Sequence, residues 1–195
     1  MSQFERAYCC SSVWRSSSSA IARELRAQRL GRDVLEIGVG SGSVAQQLLS
    51  AAPELAWTAI DIDPQMTQAA ATRLREFGGA SVRTADATAM PFADESFDSV
   101  VSCLMLHHII DWERAVAETA RVLRPGGIFV GYDLTRTALA SLFHRLDRSP
   151  HRLIAPDDFR AECARHGLTT SMQSRLLGHV MRFSCFKAHR NPEEI

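Results

Sequence analysis

The nine residues 34–42, Val-Leu-Glu-Ile-Gly-Val-Gly-Ser-Gly, constrain the fold of this chain more than any other stretch. A run with the character of a buried strand leads into three glycines at alternate positions, and a helical pattern follows from Ser43. Glycines let the backbone turn sharply and approach a ligand closely, while the free amides of a helix start bind negative or polar groups. A tight turn with close helix packing would use the same glycines, so the loop alone leaves both interpretations open.

Beyond this loop, short apolar runs rich in β-branched residues alternate with helical stretches. Strands separated by helices of this length are typical of right-handed βαβ crossovers, which build a parallel sheet covered on both faces. Two later extended runs meet at Gly178 and His179, a pattern that predicts a hairpin and one antiparallel strand. We therefore predict an α/β fold: a doubly wound, Rossmann-like, mostly parallel seven-stranded sheet with a C-terminal antiparallel hairpin and helices on both faces. The predicted strands are residues 34–37, 57–60, 81–84, 99–103, 128–131, 169–177 and 180–188, and the predicted helices are residues 20–30, 43–51, 64–77, 112–123 and 156–166.

Length and composition indicate one globular domain. The chain has 195 residues, 46% of them hydrophobic, which is enough for a full core but short for two catalytic domains. We expect an N-terminal arm and helix over residues 1–30, with the arm as a lid, and a single domain over residues 31–195. The helix is predicted from the serines at 16–19, which are good N-cap residues, and from Gly31 as a stop signal.

Charge and hydropathy limit the partners and the compartment. The 22 basic and 22 acidic side chains balance, so no global field draws the chain to nucleic acid or to an anionic membrane. No apolar run approaches the ~20 residues that span a bilayer, and the start of the chain lacks the apolar core of a signal peptide. Five scattered cysteines without a C-x-x-C pair fit neither a disulfide scaffold nor a zinc site. We predict a cytoplasmic protein with neither nucleic acid nor membrane as a partner, and the oligomeric state stays open.

The spacing of the glycines and a following acid separate two kinds of ligand. A dinucleotide fingerprint needs G-x-G-x-x-G, but the sixth position counted from Gly38 is Ser43. Asp61 ends the next predicted strand and comes within reach of a ribose diol held over the loop, and carboxylates accept two hydroxyl donors well. The sequence therefore disfavours a nicotinamide cofactor and predicts a ribose-bearing ligand at this edge of the sheet.

From Asp33 to Tyr132 the chain resembles the class I S-adenosylmethionine-dependent methyltransferases, in particular the small-molecule group that includes the ubiquinone and menaquinone biosynthesis enzymes. Five stretches carry the resemblance in the proper order: residues 34–42, 58–64, 84–92, 97–108 and 121–127. The resemblance implies S-adenosylmethionine as the cofactor, S-adenosylhomocysteine as the product, and methyl transfer to oxygen, carbon or nitrogen of a small molecule. One departure is Asp63, where relatives often carry Ser, and which we expect to cap the helix that begins at Pro64.

The same resemblance implies which residues hold the cofactor. Gly38 and Gly40 would line the methionine moiety, and Asp61 would hold the ribose hydroxyls. Ile62 would pack on adenine, and Asp86 would accept from its exocyclic amine, although a turn cap is the alternative for Asp86. The backbone around Cys103 would meet the amino acid end of the cofactor. The full predicted set is Glu36, Gly38, Gly40, Gly42, Asp61, Ile62, Asp86, Ala87 and Cys103.

Methyl transfer from a sulfonium requires few catalytic groups from the protein. The leaving group of a sulfonium needs no activation, so alignment in a dry pocket supplies much of the acceleration and a base is optional. His107 is our candidate base, because an imidazole can take a proton from a hydroxyl or enol near neutral pH. An equally open interpretation is that one of His107 and His108 packs and the other is solvated. Tyr132 and Asp133 are second candidates at a strand end, with a helix cap as the alternative for Asp133, and no metal is predicted.

Two other functions stay open on the sequence alone. One is a non-catalytic domain that keeps the adenosyl ligand for structure or sensing. The other is a nicotinamide-dependent oxidoreductase, which Ser43 and the order of the motifs disfavour. We expect the arm and the residues after the fourth and fifth strands to choose the acceptor. The residues concerned are Leu104, Met105, Leu139, Leu142 and Phe143, with Tyr8 and Trp14 in the arm.

Overall fold

The computed structural model, which describes residues 11–28, 30–137 and 151–189 and only the backbone of residues 12–17, contains a seven-stranded sheet with flanking helices. Its strands are β1 (Asp33–Ile37), β2 (Ala56–Asp61), β3 (Ala80–Thr84), β4 (Phe97–Cys103), β5 (Leu123–Leu134), β6 (Leu168–Arg175) and β7 (Val180–Lys187). The helices are α1 (Ser12–Arg26), α2 (Ser43–Ala51), α3 (Pro64–Leu74), α4 (Trp112–Val122) and α5 (Pro156–Arg165), and short 3-10 turns span Leu106–His108 and Leu176–Gly178.

Across the sheet the strands follow the order β3-β2-β1-β4-β5-β7-β6. Strands β1 to β5 pair in parallel, and β7 pairs antiparallel with both β5 and β6. The predicted fold, mostly parallel with an antiparallel C-terminal hairpin, is confirmed. The winding reverses between β1 and β4, and ligands of open α/β sheets bind at such a switch point, outside the carboxyl ends of the strands.

Two apolar layers hold the helices against the sheet. Neighbouring strand residues point to opposite faces, so Val100 packs in the layer under α4 and α5, whereas Val101 packs in the layer under α1, α2 and α3. Trp57 and Phe129 are among the largest fully buried side chains of these two layers. No described helix combines the length and the apolar character that crossing a membrane requires.

Helix α1 begins at Ser12 instead of residue 20, so the serine-cap prediction is wrong and the serine run lies inside the helix. Ser18 is fully buried and accepts a hydrogen bond from Gln47 Nε2 at 2.7 Å, while Ala22 and Leu25 pack against the sheet. Tertiary packing of this kind stabilises a helix more than the local preference of serine for caps opposes it.

Strand β5 is also longer than predicted and begins directly after α4. The pairing of β4 with β5 shifts register between Phe97–Leu123 and Ser99–Ile128. The four residues 124–127, Arg-Pro-Gly-Gly, form the irregularity, with Gly126 at a φ of 79°. Glycine tolerates that backbone, so the strand continues through a segment that reads as a turn. Helix α1 ends at Arg26 instead of residue 30, so Gly31 is not its stop signal, and α3 ends at Leu74 instead of residue 77. The other predicted boundaries differ from the structure by at most two residues.

Helix α1 runs from the carboxyl edge of the parallel strands toward their amino edge. The Tyr132 hydroxyl donates to Glu24 Oε2 at 2.5 Å, and Ser184 Oγ, which lies farther from the carboxyl edge, donates to Gln28 Oε1 at 2.9 Å. Since a helix rises 1.5 Å per residue, Ser12 lies about 9 Å from Ser18 along the helix axis, at the end of α1 that is nearer the carboxyl edge. Trp14, which we predicted in the arm, belongs to α1, and its side chain lies outside the described part of the structure. Residues 1–10 with Tyr8 also lie outside the described residues.

Candidate cofactor and acceptor site

Three glycines shape the loop between β1 and α2. Gly38, Gly40 and Gly42 have φ angles of 73°, 52° and 76°, all in the left-handed region. A Cβ at Gly38 would lie 2.0 Å from Met105 Cγ, so the turn after β4 can approach the loop only because position 38 has no side chain. The amides of Gly38 and Val39 both donate to Ile60 O, at 2.8 and 3.0 Å, which fixes the loop on β2.

Asp61, the last residue of β2, holds the loop from the side. Its Oδ2 accepts from Gly40 N at 2.9 Å, and its Oδ1 accepts from Asp63 N at 3.0 Å. Burial raises the pKa of Asp61, while these two backbone hydrogen bonds act in the opposite direction. An ionised carboxylate has about four lone-pair directions, so the same group has the capacity to accept from two ribose hydroxyls as well.

An exposed apolar side chain and a helix cap follow Asp61. Ile62 is 68% exposed, which is unusual for isoleucine, and it directly follows Asp61, whose carboxylate bonds to the glycine loop. Asp63 caps α3 by accepting from Gln65 N at 2.9 Å, as predicted. The predicted ribose and adenine positions are therefore adjacent at one edge of the sheet.

The loop after β3 carries Asp86 and Ala87. Asp86 is exposed, and its Oδ1 accepts from both the amide and the hydroxyl of Thr88, each at 2.8 Å. The turn-cap interpretation of Asp86 is confirmed, and its contact with adenine stays a prediction. Glu118 of α4 holds the loop by accepting from Met90 N at 2.7 Å.

Glu36 lies beneath the glycine loop with only 2% exposure. Its Oε2 accepts from Trp57 Nε1 at 3.1 Å. Burial raises the pKa of Glu36 to about 8, the Trp57 hydrogen bond opposes the shift, and the charge of Asp61 adds to it. Glu36 is therefore mostly protonated at neutral pH, and its role at the cofactor site stays a prediction.

Two contacts that hold this region were not predicted from the sequence. One is the hydrogen bond from Trp57 to Glu36, which depends on a strand register that local sequence patterns do not specify. The other is made by Arg73 of α3, whose Nε donates to Ser41 O at 2.6 Å and whose Nη1 donates to Gln46 Oε1 at 3.2 Å. Arginines on helices usually face solvent, so no pattern singled out Arg73 as a clamp on the loop.

Cys103 ends β4 at the same edge of the sheet and is 8% exposed. Burial, with smaller contributions from Glu36 and Asp133, raises the pKa of its thiol. The thiol therefore stays protonated and is a poor nucleophile, and the contact of the backbone near Cys103 with the cofactor stays a prediction. The next residue, Leu104, has a φ of 54° and donates its amide to Tyr132 O at 2.7 Å.

The turn after β4 brings His107 against Asp133 of β5. His107 Nδ1 lies 2.5 Å from Asp133 Oδ1, and Oδ2 accepts from Leu106 N at 2.7 Å. Both side chains are almost completely buried, at 3% and 0% exposure, while His108 is half-buried. Asp133 thus binds the turn, and no helix begins for it to cap within the described residues 134–137. Both residues were candidates from the sequence, but their contact with each other was not predicted.

The phenol of Tyr132 serves a different contact. Its hydroxyl donates to Glu24, which also pairs with Arg182 at 3.1 Å. Burial and the neighbouring carboxylate raise the pKa of Tyr132. Tyr132 therefore ties α1 to the sheet, and the second-line prediction of a catalytic role gains no contact that supports it.

A cavity of about 300 Å³ lies on the α4 and α5 side of the sheet. Trp112, His151 and Asp158 are among its lining residues.

The predicted acceptor residues Leu139, Leu142 and Phe143 lie outside the described residues. Of the predicted acceptor residues after the fourth strand, the structure therefore describes Leu104 and Met105.

Comparison with known proteins agrees with this arrangement. A family model described as a methyltransferase domain matches residues 35–131. The chain is 36% identical over 119 residues to a demethylmenaquinone methyltransferase of Thermus thermophilus, covering 60% of this chain and 52% of that one. It is 34% identical over 146 residues to a phthiotriol/phenolphthiotriol dimycocerosates methyltransferase of Mycobacterium tuberculosis, covering 74% and 54%. The chain thus spans about half the length of the curated relatives it matches.

A solved structure shows the same fold over most of the chain. The YcgJ protein of Bacillus subtilis superimposes with a TM-score of 0.76 at 18% identity, covering 90% of this chain and 100% of that one. The match to the family model spans the glycine loop, Asp61, the loop after β3 and the histidine turn. The chain therefore belongs to the class I S-adenosylmethionine-dependent methyltransferases.

Proposed function

We propose that this protein transfers a methyl group from S-adenosylmethionine to oxygen, carbon or nitrogen of a small molecule. The observation that carries the proposal is the packing of a left-handed glycine loop against the carboxylate of Asp61. This arrangement offers backbone amides at a helix start and carboxylate oxygens for a ribose diol, both at the switch point of the sheet. The names of the two bacterial relatives support a small-molecule acceptor.

The residues at this edge fit an adenosyl cofactor. Gly38 and Gly40 leave room for the methionine part, Asp61 accepts from the ribose, and the exposed Ile62 packs on adenine. The backbone near Cys103 meets the amino acid end, while Glu36 and the other predicted residues shape the floor and walls. When bound, S-adenosylmethionine supplies a methyl group on a sulfonium that leaves as a neutral thioether. The cytoplasm stays the predicted compartment.

His107 is the proposed base for acceptors that must lose a proton. Met105 packs directly over Gly38, so the turn that carries His107 begins at the loop that holds the cofactor. The imidazole is 3% exposed, and exclusion of water strengthens its interaction with a reacting hydroxyl. An acceptor that has no proton to lose needs only alignment with the methyl group in this dry site.

In the direct test, the protein is incubated with methyl-labelled S-adenosylmethionine and a metabolite extract. We expect one labelled small molecule, identified by mass spectrometry, together with S-adenosylhomocysteine. Asp61→Ala should lose the product, whereas Asp157→Ala, which removes a carboxylate that is 93% exposed, should not. Binding of S-adenosylhomocysteine without any transfer would favour the non-catalytic domain. Tighter binding of NADH than of either adenosyl ligand would overturn the proposal.

A further inference from the structure

Two of the five cysteines meet inside the apolar layer under α4 and α5. Cys163 lies on α5 and Cys185 lies on β7, and their Sγ atoms are 3.7 Å apart. Both side chains are fully buried, and both are free thiols. The two residues are 22 positions apart in sequence, so the packing of α5 on the C-terminal strands brings them together.

Polar contacts distinguish this pair from ordinary apolar packing. A buried free cysteine usually behaves as a small apolar side chain. Here the two thiols hydrogen-bond to each other, and the hydroxyl of Thr170 donates to Cys185 Sγ at 3.4 Å. The bond between the thiols lowers the pKa of Cys163, which burial opposes, and raises the pKa of Cys185. Cys163 is therefore the sulfur that more readily becomes a thiolate, the form that reacts with oxidants.

The distance between the sulfurs leaves a short path to a covalent bond. The S–S bond of a disulfide is about 2.05 Å long, so the two sulfurs must approach each other by roughly 1.7 Å. Two side chains on separate elements share this movement. Cys103 cannot take part in it, because Cys103 packs in the apolar layer on the opposite face of the sheet.

We propose that Cys163 and Cys185 form a reversible disulfide, which a small peroxide produces in the folded protein and a thiol reductant removes. The Cys163 thiolate attacks one oxygen of hydrogen peroxide, the O–O bond breaks, and hydroxide leaves a sulfenic acid on Cys163. The Cys185 sulfur then attacks the Cys163 sulfur, the S–O bond breaks, and the departing hydroxide takes the Cys185 proton. Together the two thiols lose two electrons and two protons, and the peroxide is reduced to two molecules of water.

The disulfide would tie α5 to β7, and it does not depend on the proposed methyl transfer. In a reducing compartment, disulfides are mostly transient and serve catalysis or redox sensing. Helix α5 directly follows the segment 151–155, in which the amide of Arg152 donates to His107 O at 2.7 Å. The cross-link therefore holds the helix next to the segment that contacts the histidine turn. Since it also closes a loop in the unfolded chain, we expect the melting temperature to rise by roughly 5–10 °C.

The cross-link can be tested in the full chain without any methyl acceptor. Cys9→Ser and Cys10→Ser remove the two cysteines that lie outside the described residues, and the folded protein is treated with a small molar excess of hydrogen peroxide. After alkylation in denaturant and digestion, mass spectrometry should detect a peptide that joins Cys163 to Cys185, and dithiothreitol should abolish it. The proposal is overturned if both residues stay free thiols, if they become sulfinic acids, or if they join only in urea.

Two matched variants separate the disulfide from side reactions, since peroxide also oxidises methionine. Cys103→Ala removes a buried thiol from the other layer and should keep both the linked peptide and the rise in melting temperature. Cys185→Ala removes one partner and should lose both. An equal change of melting temperature in Cys185→Ala, or no rise in protein that carries the linked peptide, would overturn the proposal. The linked peptide is measured in the parent protein, so that result holds even if Cys185→Ala fails to fold.

Discussion

Replacing Asp61 by alanine should weaken the binding of S-adenosylmethionine and S-adenosylhomocysteine far more than it unfolds the protein. The carboxylate already accepts from the amides of Gly40 and Asp63, so it shapes the loop before any ligand arrives. A ribose diol would add its two hydroxyls to lone pairs on the same oxygens. The substitution therefore removes an acceptor from the ligand and from two backbone amides at once.

The expected loss of affinity follows from the charge and the burial of Asp61. A hydrogen bond to a charged group contributes about 1.5–3 kcal/mol. The two hydroxyls share one carboxylate at an edge that water can reach, so we expect about 2–3 kcal/mol for the pair, or roughly a 30- to 150-fold rise in Kd. Asp61→Asn keeps one acceptor oxygen but turns an amide toward one of the two backbone N–H groups. Its Kd should lie between those of the wild type and Asp61→Ala.

Titration calorimetry with S-adenosylhomocysteine measures these values directly, and Asp157→Ala provides the matched control. Urea unfolding of the same variants shows whether the loop or the whole domain has been lost. The reasoning is refuted if Asp61→Ala binds within about twofold of the wild type. It is also refuted if Asp61→Asn and Asp61→Ala weaken binding equally while both remain folded, since the carboxylate would then act only on the loop.

Three further predictions concern buried Glu36, Gly38 in the glycine loop, and the N-terminal arm of residues 1–10. Burial raises the pKa of Glu36 from 4.5 to about 8, so the folded state holds this proton more tightly than the unfolded state does. The free energy of unfolding should contain a contribution from Glu36 that is complete below pH 4.5 and is lost as the pH rises through about 8, and Glu36→Gln should remove this fall in urea titrations. Gly38→Ala should abolish binding of S-adenosylhomocysteine, because Cβ would clash with Met105 and φ is positive, and Met105→Ala should restore it only in part. Deleting residues 1–10 should lower turnover while leaving the melting temperature nearly unchanged, because a lid excludes water without adding to the core.

Each of these three predictions has a result that contradicts it. Equal pH dependence of unfolding in Glu36→Gln and the wild type would mean that Glu36 is ionised in the fold. Full recovery of binding in the Gly38→Ala, Met105→Ala double variant would mean that the left-handed backbone is unimportant. An arm deletion with unchanged kcat and KM would mean that the arm is no lid.

The order of strands and helices was predictable because it depends on patterns that are local in sequence. A β-branched run, a glycine loop and a proline at a helix start each indicate one element, and helix α2 and its glycine loop agree with the prediction. The serine run failed as a helix start because the buried contact of Ser18 with Gln47 is made across 29 positions. Local preference decides little where packing stabilises the alternative.

Side-chain pairs across the sheet were not predictable, because they depend on register. Cys103 lies opposite Tyr132 in the pairing of β4 with β5, and this register brings Asp133 close to the turn that carries His107. Glu36 and Trp57 likewise meet through the register of β1 with β2. The residue types at the strand ends were visible from the sequence, and the partners of those residues were not.

The position of β7 between β5 and β6 has a consequence for how the chain is made. The ribosome delivers residues in order, so β5 emerges long before the strand that covers its open side. At about 5–20 residues per second, synthesis from the end of β5 to the start of β7 takes on the order of several seconds. During this interval the nascent polypeptide presents β5, a long and largely apolar strand, as an unpaired edge. A chain that stalls before Val180 therefore keeps this edge exposed, and mispairing with another nascent chain should begin there rather than at β3.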